Sequence, residues 1–210
     1  MKLRDKLYPT GLPYDNIELL PFDHLGLFNH PEVLEYCITV LKPKTVIEVG
    51  SFKGTSAIWM TQKCLTYQSD VEVICVDTFL GEYNFYVHPD FMHVMPKKNY
   101  LPNLLQTFLS NVVNVGLQPY ITPVVIDSHN AYQIMKAWGI VADMIYIDGC
   151  HEYNAVVNDI KDYRELLRPN GIMVFDDFRY QPVQQAIKDT LGPIVENRGQ
   201  QFGKYFWIKE

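Results

Sequence analysis

The chain has 210 residues and a mass of 24.4 kDa, and its 48% hydrophobic content suffices for the core of one domain spanning 1–210. A formal net charge of −6 and a pI near 5.5 argue against a nucleic-acid binder, which carries a basic footprint. No apolar run reaches the ~18 residues of a membrane span, the N-terminus has no apolar signal segment, and four cysteines without C-x-x-C spacing fit a reduced, cytoplasmic setting.

Residues 1–28 are rich in Pro, Gly and Tyr and read as an irregular cap. A helix is expected from Pro31, with Val33, Leu34, Cys37, Val40 and Leu41 as its apolar stripe and Pro43 ending it. Residues 1–44 thus precede a core of 45–210. Thr45–Val49 reads as a buried strand, followed by GSFKGTS and a helix from Thr55 to about Leu65. Val71–Val76 is a second strand, ending in Asp77. Residues 78–100 form a long aromatic loop, of the kind that serves as a lid, a binding surface or a homodimer interface. A helix from Leu101 to Val115, a strand over Ile121–Ile126 and a short helix over Ala131–Trp138 come next.

Two further apolar runs, Met144–Ile147 and Ile172–Phe175, flank a helix over Tyr153–Leu167. After a helix over Pro182–Leu191, the tail PIVENRGQQFGKYFWIKE reads as two strands around a turn. The alternation predicts a Rossmann-like three-layer α/β fold with a seven-stranded, mostly parallel sheet and an antiparallel C-terminal hairpin strand.

Parallel strands put their carboxyl ends on one edge, where open α/β sheets bind ligands. That edge collects Asp148, Asp176 and Asp177, with His151 beside them. Such repulsion calls for a cation or a proton-transfer role. Gly50 and Gly54 permit a tight backbone after the first strand, and the helix beyond presents N–H groups to a carboxylate. Glu48 is placed to accept from an ammonium, Asp77 from a ribose diol, and Asp127-Ser128 to meet an adenine edge. The spacing is neither a P-loop nor G-x-G-x-x-G.

In the order VIEVGSFKGTSA, VICVDTF, VIDSHNA, MIYIDGCHEY and LLRPNGIMVFDDF, residues 45–210 resemble the class I S-adenosylmethionine-dependent methyltransferases. They are similar in pattern to the small O-methyltransferase branch of catechol O-methyltransferase and the macrocin-type sugar O-methyltransferases. The resemblance implies that Glu48 and Gly50 hold the methionine part of S-adenosylmethionine, with Ser51, Phe52, Gly54 and Thr55 lining the loop. Ser56 would bind its carboxylate, Asp77 the ribose, Thr78 the adenine flank, and Ser128 with His129 the adenine amine. Asp148, Asp176 and Asp177 match the divalent-metal ligands of this branch, with Mg2+ the natural ion and Mn2+ also fitting. His151 falls where catechol O-methyltransferase carries a lysine base, and Asp177 where it carries an asparagine. The expected activity is metal-assisted O-methylation of a hydroxyl on a small molecule or sugar, with Asp148 and His151 catalytic. The alternatives are a metal-independent N- or carboxyl-methyltransferase and a non-catalytic nucleotide-binding module.

Overall fold

Strand identity follows from short apolar, β-branched runs closed by polar residues. β1 is Thr45–Val49, β2 Glu72–Asp77, β3 Lys97–Lys98, β4 Leu101–Pro102, β5 Ile121–Val125, β6 Ala142–Ile147, β7 Leu167–Phe175 and β8 Tyr205–Ile208. The helices are α1 Leu3–Leu7, α2 Glu32–Leu41, α3 Thr55–Leu65, α4 Asn84–Val87, α5 Pro89–Met92, α6 Leu104–Asn114, α7 Ser128–Ala137, α8 Tyr153–Leu166 and α9 Gln181–Leu191. The computed structural model describes residues 2–23 and 28–210; Met1 and residues 24–27 of the stretch read as irregular lie outside the described residues.

The main sheet has the order β5-β2-β1-β6-β7-β8, with every pair parallel except β7–β8. Among the described residues it has six strands rather than the expected seven. In the tail, Asn197, Gly199 and Gly203 take positive φ, and these left-handed turns leave β8 as the tail's one strand among the described residues. β8 pairs directly with β7, from Ile172 with Ile208 to Phe175 with Tyr205.

Alternation along the strands divides the core between two faces. Ile47, Val49, Ile74, Ile145 and Met173 pack with Ala131, Ile160 and Ile187 of α7, α8 and α9. Val46, Val73, Met144 and Val174 pack with Leu34, Ala57 and Phe108 of α2, α3 and α6. This is the expected three-layer arrangement.

Several local readings are corrected. The N-terminal stretch contains α1, because the Glu72 carboxylate accepts the Leu3 and Arg4 amides at 3.0 and 3.1 Å. On α2 the buried stripe includes Ile38, whereas Val40 is exposed. The loop 78–100 holds α4, α5 and β3, and α6 begins at Leu104 because Leu101–Pro102 pairs with β3. Asp127 caps α7 through the Asn130 amide at 3.0 Å, so that helix starts earlier than its apolar pattern suggests.

Candidate active site

β1 lies between β2 and β6, so the chain leaves the centre of the sheet in opposite directions there. The loops after β1 and β6 meet at this switch point. Gly50 has φ +88°, and a Cβ on it would sit 2.2 Å from the Asp148 carbonyl oxygen. No side chain fits, so the two strand ends touch backbone to backbone. Gly54, at φ +83°, starts α3 with Phe108 pressed against it, 2.8 Å from a notional Cβ.

Asp77, at the end of β2, shapes the same loop. Its Oδ2 accepts the Ser51 and Phe52 amides at 3.0 and 2.9 Å, and its Oδ1 the Phe79 amide at 2.7 Å. Phe52 and Phe79 both carry positive φ, which these contacts hold in place. The carboxylate read as a ribose contact is therefore also the frame of the loop. Phe52 stacks on Phe85 at 5.0 Å between centroids, which seats the aromatic loop on the loop after β1.

Glu48 is fully buried, and its Oε1 accepts from the Ser56 hydroxyl at 2.5 Å. Burial pushes its carboxyl up to about 7, against the pull of the Ser51 and Ser56 hydroxyls and the Cys75 thiol. Its Oε2 and the buried Ser51 Oγ have no well-formed hydrogen bond within the protein. Ser51 lies near the carboxylate without bonding to it in good geometry. A buried open carboxylate oxygen beside an open hydroxyl suits an ammonium-bearing ligand. Ser56 is spent on Glu48, leaving Thr55, at the start of α3, nearer a free helix end.

The residues read as adenine contacts are partly engaged within the protein. Ser128 opens α7, and its carbonyl accepts from the Tyr163 hydroxyl at 2.9 Å. Asp127 is held by Asn130, and Thr78 Oγ1 accepts the Leu80 amide. His129 does not join them: its Nδ1 lies 2.7 Å from Asp162 on α8, on the exposed face.

The acidic strand ends separate into two groups. Asp176 is gripped by the fully buried Lys204, whose Nζ lies 2.7 Å from both carboxylate oxygens. The Tyr146 hydroxyl donates to the same carboxylate. Asp148, His151 and Asp177 form the other group, each with a potential ligand atom within 4.8 Å of the others. Of the expected three aspartates, Asp148 and Asp177 lie together with His151, while Asp176 is turned to Lys204.

His151 Nε2 sits 2.7 Å from Asp177 Oδ2, an ion-pair contact more than a well-aligned hydrogen bond. Its ring stacks on Tyr180, with centroids 5.9 Å apart and 18° between planes. Burial by itself lowers the imidazole pKa, but Asp177, with Glu82 and Asp176, outweighs it and raises the value. The same pairing holds Asp177 below the usual carboxylate range, against burial. Asp148 is raised well above its ordinary value by burial and by the charges of Asp176 and Glu48, with Lys204 opposing. One carboxyl rising while another falls is a pattern of acid–base sites.

Sequence reasoning did not find Lys204, Tyr146, Tyr180 or Glu82. Lys204 is 28 residues from its partner, and only the β7–β8 pairing brings them together. Two open hollows lie away from this edge. One, of about 250 Å³, is lined by Lys2, Lys44 and Glu72 at the opposite end of the sheet, and the other, of about 360 Å³, by His129, Asn158, Lys161 and Asp162.

Comparison with known proteins agrees with this geometry. Residues 47–178 match the model of a family described as a methyltransferase domain. An uncharacterized protein of Acanthamoeba polyphaga mimivirus is 25% identical over 164 residues, covering 77% of this chain. The chain spans 62% of that relative's length. Among solved structures, the O-methyltransferase TomG from Streptomyces achromogenes, in complex with SAM, superposes with a TM-score of 0.60 at 13% identity over 87% of this chain and 82% of its own. The O-methyltransferase from Bacillus cereus, in complex with SAH, gives a TM-score of 0.56 at 16% identity over 86% of this chain and 74% of its own. The fold is that of these enzymes.

Proposed function

The chain belongs to this methyltransferase-domain family, and from that premise we propose that it transfers the methyl group of S-adenosylmethionine to a hydroxyl oxygen of a small molecule or sugar. The observation that carries the reading is Glu48 Oε2, fully buried and unpartnered at the end of β1. The α-ammonium of the cofactor satisfies it, with Ser51 Oγ beside it. The backbone amides that open α3 receive the carboxylate. Asp77 keeps the loop closed while its remaining acceptor capacity meets the ribose hydroxyls. Ser128 at the start of α7 lies toward the adenine.

The acceptor oxygen attacks the sulfonium methyl in line. A carbon–oxygen bond forms, the carbon–sulfur bond breaks with its electron pair going to sulfur, and the hydroxyl proton leaves. The imidazole of His151 accepts that proton at Nδ1, the nitrogen not facing Asp177, and Asp177, 2.7 Å from Nε2, holds the ring and stabilises the imidazolium. Tyr180 fixes the ring plane by stacking. Lys204 neutralises Asp176, and the carboxylate held in its charged form beside His151 is that of Asp177. Holding the two reactants in near-attack geometry supplies a large part of the rate.

The donor set of two carboxylates and one imidazole fits a divalent cation, Mn2+ as well as Mg2+, held by Asp148, His151 and Asp177. Bound there, it supplies Lewis acidity that lowers the pKa of a coordinated hydroxyl. His151 is then a ligand, not a base, so the two modes exclude each other. The four free cysteines suit a cytoplasmic setting, and among the described residues no helix is long and apolar enough to cross a membrane.

The test is transfer of labelled methyl from S-adenosylmethionine to a panel of hydroxylated acceptors, with and without excess chelator. Turnover that survives chelation identifies His151 as the base, and turnover lost to chelation identifies the cation mode. Absence of cofactor binding at millimolar concentration rejects the reading.

A further inference from the structure

The cofactor loop 50–54 is clamped from several directions. Asp77 holds its amides, the Asp148 carbonyl crowds Gly50, and Phe108 crowds Gly54. One more clamp comes from a segment outside the 47–178 family match. Lys53, at the centre of the loop, is 2% exposed, and its Nζ lies 2.8 Å from Asp23 Oδ2. A lysine is rarely buried without a counter-charge, and Asp23 supplies one here.

Asp23 is itself held in place. Glu18 to Asp23 runs along α6, seated by a row of polar side chains at spacings of one helix face. Gln106 Nε2 donates to the Glu18 carbonyl at 2.8 Å. Ser110 Oγ accepts the Leu20 amide at 3.0 Å, and Asn114 Nδ2 donates to the Leu20 carbonyl at 2.9 Å. Asn111, 1% exposed, closes the arrangement: its Oδ1 accepts the Asp23 amide at 2.8 Å, and its Nδ2 donates to the Asp23 and Lys53 carbonyls, both at 2.9 Å. One buried amide thus ties the backbone of the strap to that of the loop, while the ion pair ties their side chains.

We infer that residues 18–23 are a strap that positions the cofactor loop, with Asp23 and Lys53 as positioning residues for cofactor binding. Its consequence for cofactor affinity rests on the functional reading above. Its mechanical part does not. Releasing the strap lets Lys53 seek solvent, and Phe52, Gly54 and the first turn of α3 move with it.

The experiment measures two quantities in full-length Asp23→Asn, Lys53→Met, Lys53→Arg and Asp23→Asn/Lys53→Met. Hydrogen exchange of amides 51–54 in the cofactor-free protein reports on the loop, and calorimetry with S-adenosylhomocysteine on the site. Asp23→Asn and Lys53→Met are expected to speed loop exchange at least tenfold and weaken binding at least fivefold. Lys53→Arg should retain most of the binding. The double variant, which removes both members of the ion pair, should keep its melting temperature and still exchange fast, which separates positioning from folding. Loop exchange and affinity within twofold of wild type in that double variant overturn the inference. If wild type itself fails to bind S-adenosylhomocysteine, the functional reading falls, and loop exchange alone judges the strap.

Discussion

Glu72 and Glu48 are both buried glutamates on neighbouring strands, at opposite edges of one sheet, and they are treated differently. Glu72, on the N-terminal edge, receives the Leu3 and Arg4 amides and the Thr122 hydroxyl, so both oxygens are occupied. Asp143 on the same edge is similarly filled by the Lys44 and Thr45 amides and the Arg168 guanidinium. Glu48, on the C-terminal edge, spends one oxygen on Ser56 and leaves the other open. A fold that satisfies its carboxylates at one edge and leaves one open at the other reveals where it expects a ligand. Unsatisfied buried polarity costs stability, and a ligand that satisfies it regains the difference on binding.

The sharpest break of this contrast is at the backbone. Gly50→Ala puts a Cβ on the Asp148 carbonyl at positive φ, and the expected cost is about 4 kcal/mol or more. The check is denaturant unfolding, and Gly116→Ala, with positive φ but nothing within 4 Å of its Cβ, serves as the milder control. His151→Ala is expected to slow methyl transfer about a thousandfold, at the middle of the range for a general base. Single-turnover rates with S-adenosylhomocysteine affinity measured alongside should show that affinity unchanged.

Glu72→Ala should cost about 3 kcal/mol of stability by orphaning the buried Leu3 amide and the part-buried Arg4 amide, while cofactor affinity holds. Glu48→Gln should show the reverse: affinity about 30-fold lower, as for a charged hydrogen bond of about 2 kcal/mol, with the melting temperature equal or higher. Equal stability losses at the two glutamates would erase the distinction between the edges.

The C-terminal edge was legible in the sequence because its strands end in punctuation. VIEVG, VICVD and MIYID each pass from an apolar run to a carboxylate or glycine, and the parallel topology brings those ends together. Local chemistry was harder to see. Asp127 carried a capping signal three residues before Asn130, yet a cap and an adenine contact look alike in one dimension. Asp176 and Asp177 are adjacent but diverge, because Asp177 takes φ +50° and turns toward His151 while Asp176 meets Lys204. That lysine sits in a tail whose course depends on Gly199 and Gly203 and on pairing with β7, none of which is a local property. His129 faced the same ambiguity and went to Asp162.

The most direct test of the open carboxylate is cofactor affinity as a function of pH. Glu48 is raised from 4.5 to about 7 in the free protein, so its stabilising influence is complete below the unfolded value and lost as pH rises through the folded one. A bound ammonium favours the carboxylate, so binding below that value must release a proton. The account predicts that S-adenosylhomocysteine affinity, read by calorimetry, rises from pH 5.5 to about 7 with a limiting slope of about tenfold per unit and then levels. In Glu48→Gln the same curve should be flat over that range. A flat wild-type curve, or an equal slope in Glu48→Gln, would contradict the assignment of Glu48 as the cofactor's anchor.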